Sequence, residues 1–133
     1  MLRRRRALPA DVVPAYSAFL ACAAHVDLAQ RAMIRCVPSS PRSVPLPLEV
    51  GAETLRVALG DARAAMPAWR HPAVEASWVA CDAAITETLD GVNRCVAVAR
   101  GTRELEVALT AVQDLLDPLH AFVEAEEAFG RLR

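Results

Sequence analysis

Apolar residues in the first third of the chain recur with helical spacing. Two interleaved series repeat every seven positions: Val12, Phe19, Val26 and Met33, and Ala15, Cys22, Ala29 and Cys36. Such an a/d pattern predicts a helix over about 11–37. The segment 12–26 also carries no formal charge. We therefore expect other helices to enclose most of the circumference of this first helix.

Three further segments show the same kind of periodicity and predict helices over about 48–69, 72–100 and 102–132. Gly91, in the middle of the third segment, indicates either a kink or a close crossing with a neighbouring helix. A proline disfavours helical backbone at the residue before it. The fourth helix should therefore be kinked or broken near Pro118.

No segment alternates between apolar and polar residues as a strand would, so the pattern predicts an all-α protein. Hydrophobic residues make up 54% of the 133 positions but aromatic residues only 5%, and alanine is the most common residue. This composition favours helices packed at short range. The sequence predicts one domain, a four-helix bundle over 11–133, preceded by a basic arm at 1–10.

A proline-rich segment over 38–47 joins the first two predicted helices. Such segments are stiff and extended, so ten residues can reach about 31 Å. That reach is close to the length of a 23-residue helix, roughly 35 Å. The linker could therefore serve either an antiparallel return or a crossover connection.

Charge is nearly balanced overall, at a formal net value of −1, which gives no general attraction to nucleic acid or to an anionic membrane. All 15 basic residues are arginine, and with so much alanine this indicates a GC-rich genome, as in many bacteria. Four arginines are consecutive, and we single them out as candidate partner contacts: Arg3, Arg4, Arg5 and Arg6. They could contact an acidic partner, nucleic acid, or Glu124, Glu126 and Glu127 of the same chain.

The four cysteines lie in heptad register, as Cys22 with Cys36 and Cys81 with Cys95. They lack the close pairs typical of zinc ribbons, and four are too few for a disulfide framework, so reduced thiols in a cytoplasmic protein are expected. If the first and third helices face each other, these thiols and His25 could bind zinc or copper(I). Packing as small apolar side chains is the favoured interpretation, with no metal or cofactor.

Membrane insertion and export are not expected. Fifteen uncharged residues are fewer than the roughly 20 that a spanning helix needs. The run from Phe19 to Cys22 is similar to a lipobox but has phenylalanine where leucine is preferred, and Asp11 and Pro14 interrupt the apolar region before it.

Catalytic motifs are also missing from the sequence. There is no inward Glu-x-x-His pair for a di-iron site, no phosphate-binding glycine loop and no arginine at ribonuclease spacing before a histidine. We therefore predict a non-enzymatic interaction or scaffold protein that associates with itself as a homodimer or with another helical protein. Two alternatives stay open: a bundle that binds a ligand or soft metal near Cys22, His25, Trp78 and Cys81, and a nucleic-acid-associated factor that uses the arginine arm.

Overall fold

The computed structural model describes residues 6–38 and 44–133, and these residues form an all-α bundle. Its helices are α1 (Val13–Ile34), α2 (Leu48–Ala65), α3 (Glu75–Arg100), α4 (Leu105–Leu116) and α5 (Ala121–Gly130). Short 3-10 turns occur at Met66–Trp69, Pro72–Val74 and Asp117–His120. The prediction of a four-helix bundle is confirmed, with α4 and α5 together forming the fourth helix, broken at Pro118. No helix in these ranges is both long and apolar enough to cross a lipid bilayer.

Contacts between helix ends define an up-down-up-down arrangement. The backbone N–H of Leu46 donates to the carbonyl of Arg35 at 2.8 Å, so the chain turns back directly after α1. Glu49 at the start of α2 forms an ion pair with Arg100 at the end of α3. The connection between α1 and α2 is therefore an antiparallel return and not a crossover. Residues 39–43 of the predicted linker lie outside the described part of the chain.

The predicted start of α1 is wrong by two residues. Asp11 does not cap the helix, because its carboxylate contacts the ring of His71 at 3.1 Å instead. The other nitrogen of the His71 ring accepts the backbone N–H of Ala73 at 3.0 Å, so His71 caps the turn before α3. The chain before α1 is thereby joined to the α2–α3 connection.

The fourth helix begins at Leu105 and not at 102. Thr102 accepts the backbone N–H of Glu104 at 3.0 Å and forms a local turn before the helix. Gly101 ends α3 with right-handed backbone (φ −76°), so it does not have the left-handed conformation expected of a glycine after a helix.

All six aromatic residues of the chain lie at one end of the bundle, here called the aromatic end; they are Tyr16, Phe19, Trp69, Trp78, Phe122 and Phe129. The ring of Phe19 lies 5.0 Å from that of Trp69, edge to face, and 5.2 Å from that of Phe129. The indole N–H of Trp78 donates to the carbonyl of Met66 at 2.8 Å. Side chains from α1, α5 and both sides of the α2–α3 connection therefore meet in one packed layer.

The opposite end, here called the far end, is packed through small side chains. A Cβ atom added to Gly51 of α2 would overlap the sulfur of Cys36 and lie 3.0 Å from the carbonyl oxygen of Ala32. Small residues are buried along both helices: Ala15, Cys22, Ala29, Ala32, Ala52, Ala58 and Ala62. The backbones of α1 and α2 can therefore approach closely.

The outer face of α1 corrects an expectation from the sequence. Leu20 and Leu28 are 45% and 56% exposed, and Val13 and Ile34 are exposed as well. Apart from Ala32, the buried residues of α1 all lie at the heptad positions. The prediction that other helices enclose most of α1 was therefore wrong, because α2 and the fourth helix cover one side of it.

The glycine contact gives a first testable prediction. Replacing Gly51 with alanine should lower the free energy of unfolding by about 1–3 kcal/mol, because the added methyl group has no space between the helices. Urea unfolding followed by circular dichroism measures this change.

Gly60 provides the matched control, since it lies in the same helix with no atom within 4 Å of an added Cβ. Gly60→Ala should raise the free energy of unfolding by roughly 0.5–1 kcal/mol through helix propensity alone. Adding Cys36→Ala to Gly51→Ala should recover part of the loss. Equal effects at the two glycines would contradict close packing at Gly51.

Candidate functional site

The first two turns of α4 carry an apolar face that the rest of the chain leaves uncovered. Leu105 and Leu109 share a helical stripe with Val112 and Leu116, which belong to the core. Yet Leu105 is 52% exposed and Leu109 39%, whereas Val112 is 1% exposed. The reason is that α4 packs chiefly against α3 and makes little contact with α1. A face with core character therefore meets solvent at the far end.

Beside this face, α3 and α4 diverge and leave an open groove of about 1020 Å³, here called the α3–α4 groove. Val98, Val107, Ala111 and Leu115 supply its apolar surface. The remaining lining residues are Ala83, Thr86, Glu87, Asp90, Gly91, Arg94, Cys95, Glu104, Glu106, Thr110, Asp114 and Pro118. Its length and openness suit a peptide segment better than a small molecule, which usually occupies an enclosed pocket.

Gly91 sets how closely the two helices approach at the base of the groove. A Cβ atom at this position would lie 3.3 Å from Cδ1 of Leu115. Helix α3 continues through Gly91 to Arg100 as one α-helix. The contact with Leu115 agrees with the close crossing suggested by the sequence, and α3 is not interrupted at Gly91.

Charge on the groove is predominantly negative. Five carboxylates and one guanidinium, that of Arg94, line it. Helix α3 supplies the carboxylates of Glu87 and Asp90, and the chain at and after the start of α4 supplies those of Glu104, Glu106 and Asp114. Within residues 6–38 and 44–133, none of these five forms an ion pair. Apolar surface with a carboxylate rim matches the general anatomy of a protein-binding surface, whose centre is apolar and whose edge is polar.

The four cysteines are free thiols buried in the core. Burial raises the pKa of every one of them, and it raises that of Cys81 to about 12. The proximity of Cys22 contributes to the rise at Cys81, and that of Cys36 to the rise at Cys95, although α1 packs chiefly against α2 and α3 chiefly against α4 and α5. These thiols are protonated at neutral pH and are correspondingly poor metal ligands and nucleophiles.

Each level of the core holds only two thiols. The sulfur of Cys22 donates to the carbonyl of Ala62 at 3.2 Å, and that of Cys36 to the carbonyl of Ala32 at 3.3 Å. Across the described ranges, no three histidine, cysteine, aspartate or glutamate side chains converge as metal ligands would. The structure thus brings the cysteines together in pairs without adding His25 to either pair.

Other residues singled out in the sequence have plain structural surroundings. Arg3, Arg4 and Arg5 lie outside the described residues, and Arg6 is exposed. His120 and Glu124 form the exposed pair expected one turn apart, with 4.0 Å between ring nitrogen and carboxylate oxygen.

Sequence reasoning missed the groove because most of its lining residues lie outside the apolar stripes from which the helices were predicted. The available signal was the combination of Gly91 with acidic residues on both neighbouring helices. Neither feature alone distinguishes a groove from an ordinary exposed seam between helices.

Comparison with models of known protein families, with curated proteins and with solved structures found no match to this chain. The groove and its chemistry must therefore carry the argument about function.

The raised thiol pKa values predict how stability depends on pH. An unfolded thiol titrates near 9.0 and folded Cys81 near 12, so the folded state retains its proton over this interval. The stabilisation is complete below pH 9 and is lost as pH rises toward 12, because only the unfolded state gains by releasing the proton. A thiol that is ionised in the unfolded state but protonated in the folded state should lower the free energy of unfolding by up to about 1.4 kcal/mol per pH unit.

Urea unfolding at pH 8.5 and pH 10.5 tests this, with Cys81→Ala as the comparison. The variant should be less stable than the wild type at both pH values, because it leaves a small cavity. It should also lose less stability between the two pH values. An identical loss in both proteins would show that Cys81 does not titrate as its burial implies.

Proposed function

We propose that this protein is a non-enzymatic interaction protein that associates with itself through the α3–α4 groove. The observation that carries the proposal is the exposed apolar surface inside the groove, where Val98 and Val107 are 44% and 38% exposed. Transfer of such apolar surface from water into an interface is favourable, by about 25 cal/mol per Å². A second chain seated in the groove would cover this surface.

The groove is preferred over the outer face of α1 because it is concave and combines apolar surface with charge. The exposed apolar residues of α1, among them Leu20 and Leu28, project singly from a convex helix. Scattered apolar side chains of this kind are common on protein surfaces and need no partner. The carboxylate rim of the groove would add selectivity for a partner of complementary charge.

The alternative functions receive less support. Protonated, buried thiols disfavour the soft-metal bundle, since metal binding requires thiolates. A negatively charged groove would repel a phosphate backbone, so nucleic-acid binding would have to depend on the arginine arm alone. Four free thiols fit our proposal of a cytoplasmic protein, and the lysine-free, alanine-rich composition fits a bacterial source.

Sedimentation velocity on the full chain, from low to high micromolar concentration, tests the proposed interface. Val98→Arg combined with Val107→Arg places two positive charges on the apolar surface of the groove, at positions 44% and 38% exposed. This double variant should weaken self-association at least about tenfold, a loss of roughly 1.4 kcal/mol. Its thermal unfolding should change little because both side chains are already partly solvated.

The matched control is Leu20→Arg combined with Leu28→Arg on the outer face of α1. It adds the same charge at equally exposed leucines and should leave self-association unchanged. The proposal is overturned if the wild type stays monomeric throughout the concentration range. It is also overturned if the α1 variant, and not the groove variant, abolishes association.

A further inference from the structure

We propose that the segment occupying the α3–α4 groove is the arginine arm, residues 1–8, of a second copy of this chain. This inference rests on the proposed role of the groove as the interaction surface, and it names the partner. The observation behind it is charge complementarity within one sequence. The groove is lined by five carboxylates, and the arm has the sequence MLRRRRAL, with four consecutive arginines between apolar residues.

Both walls of the groove offer carboxylates to such a segment. Successive side chains of an extended segment point to opposite sides, so alternate arginines of the arm would face opposite walls of the groove. On the α3 wall they would meet Glu87 and Asp90, which are neighbours three residues apart on one helix. On the other wall they would meet Glu106 and Asp114. Guanidinium groups suit such sites because they bind carboxylates through two parallel hydrogen bonds.

The arm of the same chain cannot reach the far part of this groove. Leu8 packs against the core near the start of α1, so Arg3 can extend about 17 Å beyond it at most. The contact between Asp11 and His71 places the start of α1 at the same end as the start of α3. Arg94 and Val98, near the distant end of the groove, lie roughly 29–35 Å along α3 from its first residue. The occupant of this far part of the groove must therefore come from another molecule.

Two copies arranged antiparallel would satisfy both grooves at once. In that arrangement, the start of α1 in each copy lies beside the far end of the other copy, where α4 begins. A two-fold axis between the copies makes the two arm-to-groove contacts identical. The apolar residues Met1 and Leu2 would then be available to the exposed surface around Val98 and Val107.

The test is a charge exchange in the full-length chain, measured by sedimentation equilibrium at low and moderate salt. Replacing Arg3, Arg4, Arg5 and Arg6 with glutamate should weaken the dimer at least about tenfold, as should Asp90→Arg combined with Glu106→Arg. Combining the two sets should restore the dimer to within about threefold of the wild-type dissociation constant, because opposite charges again face each other. Higher salt should weaken the wild-type dimer.

A matched control distinguishes this interface from general electrostatics. Glu124→Arg combined with Glu127→Arg changes the charge by the same amount on the exposed face of α5. This variant should not change the dimerisation constant, and it should not rescue the glutamate arm. The inference is overturned if the α5 variant rescues the glutamate arm. It is also overturned if the groove variant fails to rescue it.

A peptide of residues 1–10 supplies a measurement that does not depend on dimer formation. Fluorescently labelled, it should bind a full-length chain whose four arm arginines are replaced by serine, and Asp90→Arg with Glu106→Arg should remove most of that binding. If the groove variants abolish self-association but the arm variants do not, the groove remains the interface and only the arm is excluded as its occupant. If neither set has an effect, the proposed function fails as well.

Discussion

The approach of α1 to α2 at Gly51 determines how the rest of the bundle is arranged. Glycine at this position allows the backbone of α2 to lie against Cys36 and Ala32, and small buried residues continue the contact along both helices. At the aromatic end, the ring of Phe19 is wide enough to reach Trp69 and Phe129 together. At the far end α1 carries no side chain as large as phenylalanine, and there α1 lies along α2. The exposed face of α4 and the groove beside it are consequences of this unequal distribution of side-chain volume.

Heptad spacing was sufficient to predict the bundle, because buried and exposed sides of a helix differ in composition wherever a partner covers one side. The break at Pro118 and the cap at His71 are also features that a sequence can predict, since each depends on the local chemistry of one residue. Which helices pack against each other could not be predicted from the sequence. Leu105 and Val112 share one stripe and one residue class, yet one is exposed and the other is not. Periodicity shows which side of a helix is apolar and contains no information on what covers it.

The cysteines show the same division between what spacing predicts and what only packing decides. Their register correctly predicted burial, and burial keeps them protonated, so the regular spacing that suggested a metal site is the spacing of a core. Thr88 lies in the same register between Cys81 and Cys95 and is fully buried, with no hydrogen-bond partner for its hydroxyl among the described residues. A polar group in a heptad position therefore gave no reliable indication of exposure here. Similarly, the series of uncharged residues in α1 indicated complete enclosure, and only one side is enclosed.

A net charge near zero conceals two regions of opposite sign, and their separation along the bundle limits how such a molecule can associate. An arm at one end and an acidic groove towards the other are different surfaces, so contact between them is heterologous and could in principle continue from molecule to molecule into an open chain. In the proposed dimer, reciprocal exchange would prevent this, because two antiparallel copies would use both arms and both grooves in one closed assembly. Forming the closed dimer would make two arm-to-groove contacts at the entropic cost of immobilising one molecule. Each step of an open chain has the same entropic cost and makes only one such contact. At moderate concentration the physics therefore favours the dimer over the chain.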